Sequence, residues 1–233
     1  MDWRAVAFRG FSSHLRKPDF PCLFGKSGFK REAFKFLFID EDDEAGQFSE
    51  GLRRYTEFTR QVPARTRLYT PLIVIFQRIF PTLADQHQFG WRQLQALHHN
   101  DTKDWPSNVP IDPKDSLWSF CFDGVQLFIN MSCPGHVTLK SRNLGGYITF
   151  VINPRENFDL IANRNSRKGI RVRQTIRKRV ERYNAAPVPD VLGFFGSHSN
   201  LEWRQYQLAE EHSPPKTICP FRMRTRTREV EPS

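Results

Sequence analysis

The tightest constraint in this chain is the segment 117–130. Leu117-Trp118-Ser119-Phe120-Cys121-Phe122 and Gln126-Leu127-Phe128-Ile129-Asn130 flank the dipeptide Asp123-Gly124. Asp-Gly is the turn of a tight β-hairpin, so two antiparallel strands are predicted here. Residues 70–77 read as a buried strand by their β-branched content, and 146–152 as another, closed by Asn153-Pro154.

Helical spacing surrounds these strands. Helices are predicted over 46–61, with Phe48, Leu52, Tyr55 and Phe58 on one face, and over 82–99, with Phe89, Trp91, Leu94 and Leu97 inward. Shorter helices are expected at 28–38, 155–162 and 201–208. A longer one is expected at 168–184, burying Val172, Ile176, Val180 and Tyr183. Residues 1–27 read as irregular and 102–115 as a Pro- and Asp-rich loop. The acidic run 40–44 reads as a surface loop or a helix entry. The fold class is α+β, a single domain with a central, mostly antiparallel sheet flanked by helices. The domain is expected to span 1–221, and 222–233 to form a basic, mobile tail.

Composition narrows the function classes. Apolar residues make up 39% of the 233, with 21 Phe, enough for one sizeable core. No apolar run is long enough to span a bilayer. The start Met1-Asp2-Trp3-Arg4 lacks the apolar block of an export signal, so a cytoplasmic location is expected. Cys22, Cys121, Cys133 and Cys219 are scattered, with no C-x-x-C pair, and are expected as free thiols. The net charge of +10 is concentrated in 164–182, where only Glu181 opposes the cations. That stripe reads as a solvated helix face, a contact for an anionic cofactor, or a nucleic-acid footprint. Phosphate-loop, dinucleotide, zincin and nucleophile-elbow motifs are all absent.

The remaining chemistry-bearing residues are few, and Asn130–Arg142 stands out as a functional centre. His98 sits at a helix end, three residues before Asp101, an acid that could orient one ring nitrogen. Taken alone, it reads more simply as a C-terminal histidine favoured by the helix dipole. His136 lies in a loop leaving an apolar strand, either as a site residue or a solvated turn histidine. Glu202, Gln205 and Tyr206 share one helix face, as a site or as packing.

Several runs are similar to one known family. They include Phe20-Pro21-Cys22, Trp91 with Leu94-Gln95 and Leu97-His98, and Phe120-Cys121-Phe122-Asp123-Gly124. Phe128 to Ser132, Pro134-Gly135-His136, Lys140 to Gly145, Asn153-Pro154-Arg155 and Cys219-Pro220-Phe221 continue the order. Together they resemble the YqcI/YcgG family across nearly the whole chain. Within the central loop, the histidine of the family's N-hydroxylase branch falls at Cys133, while Pro134 and Arg142 match. The resemblance implies a haem-dependent monooxygenase, N-hydroxylating a small amine or guanidine, with haem b as cofactor. It implies His98 as iron ligand, His136 as alternative ligand or distal acid, and Cys133 as a third option. Arg142 and Arg177 would meet the haem propionates, and Glu202 a cationic substrate. Electrons would come from an external donor, since no flavin or nicotinamide motif is present. A non-enzymatic haem- or ligand-binding protein is the alternative, and a nucleic-acid-binding protein a third reading.

Overall fold

The computed structural model describes residues 2–197, 200–211 and 213–224. Thirteen of the 233 residues, including Arg226 and Arg228 of the expected tail, lie outside them. Five strands form one sheet in the order β1-β2-β5-β4-β3: β1 Lys35–Ile39, β2 Leu72–Phe76, β3 Phe120–Phe122, β4 Val125–Ser132 and β5 Thr149–Pro154. Only β1 and β2 run parallel; every other pairing is antiparallel. Helices flank the sheet: α1 Trp3–Arg16, α2 Leu23–Lys30, α3 Glu44–Gln61, α4 Leu83–His99, α5 Glu156–Ile161, α6 Arg167–Asn184 and α7 Trp203–Tyr206. The α+β, mostly antiparallel reading is borne out.

The hairpin forms as the Asp-Gly pair dictates. Asp123 and Gly124 both take positive φ, 51° and 75°, the combination that matches the twist of the flanking strands. Asp123 is held in that conformation by Thr56 Oγ1 at 2.7 Å and Arg60 Nη2 at 2.6 Å.

Two expectations are corrected. Residues 1–27 are not irregular: α1 is capped by the Asp2 side chain and buries Ala7, Phe11 and Leu15 at four-residue spacing. Residues 28–38 are not one helix. The chain leaves α2 after Lys30 and enters β1, where Phe36 and Phe38 face one side and Ile39 the other. A short aromatic run fits either period, and pairing with β2 decides it. The acidic run resolves as a helix entry, with Asp43 capping α3.

Both faces of the sheet are covered, but unequally. Leu72, Val74 and Phe76 join Leu127, Ile129, Met131, Phe150 and Ile152 in the main core beneath α3, α4 and α7. On the other face, Ile73 and Ile75 pack against Phe11, Leu15 and Phe20 from the α1 region. β2 is therefore apolar throughout, as a strand buried on both faces must be. Over β4 and β5 the second face changes character. Phe128, Asn130 and Ser132 alternate with the core residues of β4 and face a space roofed by α6. Of α6, only Gly169 and Asn184 are fully buried; Ile176 and Val180 border that space.

Candidate functional site

Two adjoining cavities lie between the β4–β5 face and α6, sharing Phe128, Phe158, Ile176, Val180 and Leu192 as walls. The inner one, about 300 Å³, reaches Cys22, Arg142, Asn157 and Asn184. The outer one, about 470 Å³, reaches Arg155, Arg173, Arg177 and Glu202. Both volumes fall in the usual range for small-molecule and cofactor sites, roughly 300–1,000 Å³.

Arg142 ends a short 3₁₀ turn, Lys140–Arg142, and is 5% exposed. Its guanidinium donates to the carbonyls of Gln205 at 2.8 Å and Tyr206 at 3.2 Å. No carboxylate pairs with it among the described residues. Burial pushes its pKa down to about 10. A buried cation without an anion is costly, and is commonly completed by a ligand.

Two amides point the same way. Asn157 Oδ1 accepts from Arg67 Nη1, and Asn184 Oδ1 accepts from the Ser141 N–H. Those donors fix each amide's orientation, so the free ends are NH₂ groups. Both NH₂ groups are buried without a partner, and both residues line the inner cavity. The inner cavity thus offers donors and a cation on otherwise apolar walls.

The outer cavity is rimmed by cations. Arg173 and Arg177 donate to the Leu192 carbonyl and brace the 192–195 segment. Arg173 lies 4.4 Å from the Phe194 ring centre, and Arg155 4.1 Å from that of Phe195. Burial, with Arg177 and Arg155 nearby, lowers the Arg173 pKa to about 10. The basic stripe is thus divided: these two arginines turn inward, while Lys168, Arg171, Lys178 and Arg182 are exposed.

Glu202 lies on the outer wall and is buried. It accepts from Ser119 Oγ at 2.6 Å and Tyr206 Oη at 2.9 Å, and pairs with Arg155 Nε at 2.9 Å. Burial raises its carboxyl to about 7, although Arg155, Ser119 and Tyr206 pull it down. Its cation in this structure is Arg155. Gln205 and Tyr206 share its buried face, as their spacing predicts, and are tied into loop and strand carbonyls.

The sequence-chosen histidines lie elsewhere. His98 packs against Phe221 and Trp105 and accepts at Nε2 from the Arg224 N–H at 3.0 Å. Burial, with Arg224 and His99, lowers its pKa to about 4. Asp101 is not its partner: that carboxylate accepts from Lys103 N and Asp123 N and steadies the hairpin turn. Arg222 is also anchored, its N–H donating to Gln95 Oε1. Residues 222–224 of the expected tail therefore lie against α4.

His136 belongs to a second buried group. Its Nδ1 is 3.0 Å from Glu210 Oε1, its Nε2 is 3.4 Å from His87 Nε2, and His87 Nδ1 is 2.8 Å from Ser213 Oγ. His87 and Glu210 carry no local marker in the sequence. His87 sits four residues before Trp91 on the inner face of α4, the one sign that it is buried. About 16 Å of helix rise separates His87 from His98, so the structure does not unite the two histidines expected at iron. Cys133 is in the main core, its thiol pushed up to about 12 by burial. None of His98, His136 and Cys133 lines either cavity. Among the described residues, no group of three or more His, Cys, Asp or Glu could hold a metal ion by themselves. No helix of the described residues is long and apolar enough to cross a membrane.

Known proteins share this chain's sequence along most of its length. A family model described as the YqcI/YcgG family matches residues 11–222. "Putative N(omega)-hydroxy-L-arginine synthase DcsA" from Streptomyces lavendulae is 39% identical, over 95% of this chain and 85% of its own. "Uncharacterized protein YcgG" from Bacillus subtilis (strain 168) is 32% identical over 94% of this chain and 88% of its own. "Uncharacterized protein YqcI" from the same strain is 29% identical, over 94% and 87%. No solved structure matches.

Proposed function

This chain belongs to the YqcI/YcgG family, and from that premise we propose that it is a haem-dependent oxygenase that N-hydroxylates a small amine or guanidine, working in the cavities beneath α6. The observation that carries the reading is the 39% identity, across 95% of the chain, to a relative named for N-hydroxylation of arginine.

The cavity chemistry suits such a group. Haem is a flat apolar body with two carboxylates, and a donor-rich, aromatic-walled cavity with an uncompensated guanidinium fits that description. Haem bound there would supply the activation of oxygen, which protein side chains do not provide. Arg142 would hold a carboxylate by a charge-assisted fork. Asn157 and Asn184 would donate their free NH₂ groups to it or to a second acceptor. The apolar walls shared by the two cavities would exclude water. Glu202, with its carboxyl at about 7, can hold or release a proton at Oε at neutral pH. The inward arginines would draw an acidic substrate end to the outer cavity. Electrons would come from an external donor.

The test is haem uptake followed by turnover. Purified protein titrated with haemin should develop a Soret band at one equivalent. Supplied with oxygen, a reductant and L-arginine or simple amines, it should yield a product heavier by one oxygen. Protein that takes up no haem at any ratio defeats this reading.

A further inference from the structure

Iron needs a protein ligand, and the histidines expected for that role are outside the cavities. Among the described residues lining either cavity, Cys22 carries the one soft donor atom. Tyr69, also on the inner wall, offers the one phenolate. We propose that Cys22, as its thiolate, is the ligand to the iron of haem bound in the inner cavity; this rests on the haem reading above.

Two features favour sulfur. Cys22 is the N-cap of α2, and its Sγ accepts from the Gly25 N–H at 3.2 Å. A thiolate there meets the positive end of the helix and keeps a backbone N–H to temper its charge, as in other sulfur-ligated sites. Arg179, from the roof helix, donates to the carbonyls of Phe20 at 2.8 Å and Pro21 at 3.1 Å. That grip fixes the backbone just before Cys22 and brings a guanidinium to the sulfur. Tyr69 has neither support; its ring packs on Phe24 and beneath Arg31.

The cavity is a built site apart from the cysteine. The NH₂ groups of Asn157, 2% exposed, and Asn184, 3% exposed, are unpartnered, and both residues line this cavity. They call for a ligand bearing acceptors, and Arg142 calls for an anionic one. Cys22 lines this cavity, the space in which the haem would lie. Burial around the thiol raises its pKa, while Gly25, Phe24 and Arg179 oppose that. Coordination removes the proton outright: the S–H bond breaks, an S–Fe bond forms, and the proton leaves to solvent without any change of oxidation state.

Absorption and electron paramagnetic resonance spectra of the haemin-loaded full chain test this without reference to activity. The ferrous carbon monoxide complex should show the strongly red-shifted Soret band of thiolate ligation. Cys22→Ser keeps an oxygen acceptor at the N-cap, so it should melt like the wild type yet lose that band. Its haem affinity should fall on the order of tenfold or more. His98→Ala and His136→Ala should keep the band. An imidazole-type spectrum that survives Cys22→Ser overturns the assignment, as does a phenolate-type spectrum abolished by Tyr69→Phe. Both of those outcomes leave haem binding intact; only absence of uptake defeats the haem reading itself.

Discussion

His87 and His136 meet Nε2 to Nε2 at 3.4 Å, in the middle of a buried line from Ser213 to Glu210. One proton order satisfies every atom. Ser213 O–H donates to His87 Nδ1, His87 Nε2–H to His136 Nε2, and His136 Nδ1–H to Glu210 Oε1. Both rings are then neutral, as burial demands. Burial chiefly, with His136 and Arg142, pushes His87 down to about 3, and burial lowers His136 against the pull of Glu210. The line ties α4 to the 133–139 loop and to the segment after α7.

Acid should loosen this line. Unfolded, His87 takes up a proton near pH 6.5; folded, only near 3. Its contribution to stability is therefore complete above about 6.5 and is lost as pH falls toward 3. Between pH 7 and 5, His87 alone should account for about 2 kcal/mol. Denaturant titrations at several pH values should show stability falling on acidification, with a shallower slope in His87→Asn. An unchanged slope in that variant would remove His87 as the cause.

Glu202 acts in the opposite sense. Its folded pKa of about 7 lies above the model carboxyl value of 4.5, so its contribution is present at low pH and is lost as pH rises through 7. It partly masks the histidines in the window from 4.5 to 6.5. Glu202→Gln should therefore steepen the rise of stability with pH, whatever it does to the overall level. Taking the buried carboxylate from Arg155, which then keeps only Asp159 at 3.3 Å, should also lower stability at pH 7, by about 3 kcal/mol. A flatter slope in Glu202→Gln would contradict the raised carboxyl.

His98 holds the last described residues in place. Its Nε2 accepts from Arg224, and Phe221 packs on its ring. His98→Ala should speed amide exchange across 219–224 and cost about 2–4 kcal/mol, the range for truncating a large buried side chain and orphaning a donor. Haem uptake should be unaffected. Loss of haem from this variant, with the C-terminal segment still protected, would return His98 to the iron.

Arg142 should matter more to ligand than to fold. Arg142→Met removes a buried cation that lacks an anion, at the expense of two carbonyl hydrogen bonds. Stability should change by no more than about 2 kcal/mol, while haemin affinity should drop at least tenfold, roughly 1.4 kcal/mol. Calorimetry with wild type and variant in parallel decides it. Equal affinity in both would show that no ligand carboxylate meets this guanidinium.

Four of the five strands were the most legible part of the chain, because their information is local; β1 was not, since pairing with β2 decides its period. Asp123-Gly124 prescribes its own turn, and the residues of β2 are apolar whichever face they present. α1 was hidden because Ala7, Phe11 and Leu15 are spread among arginines and serines, so their shared face appears only against Ile73 and Ile75. The site was legible by residue type more than by place. Arg142, Arg177 and Glu202 do line the cavities. His98 and His136 looked chemical because their neighbours in sequence were polar, yet their hydrogen-bond partners come from 49 to 126 residues away. Cys22 fell in a stretch read as irregular, since nothing nearby announces that Arg179 of a distant helix will grip the backbone just before it.

That helix is fastened in an unusual way. α6 is clasped at its margins by guanidinium groups on neutral carbonyls: Arg179 on Phe20 and Pro21, Arg173 and Arg177 on Leu192. Its inward apolar side chains, Ile176 and Val180, line the two cavities rather than the main core. Lifting it would trade these bonds for water and uncover little new hydrocarbon. Such a movement carries a small heat-capacity change. Ligand traffic beneath α6 would then follow its own temperature law, largely uncoupled from the melting of the sheet below.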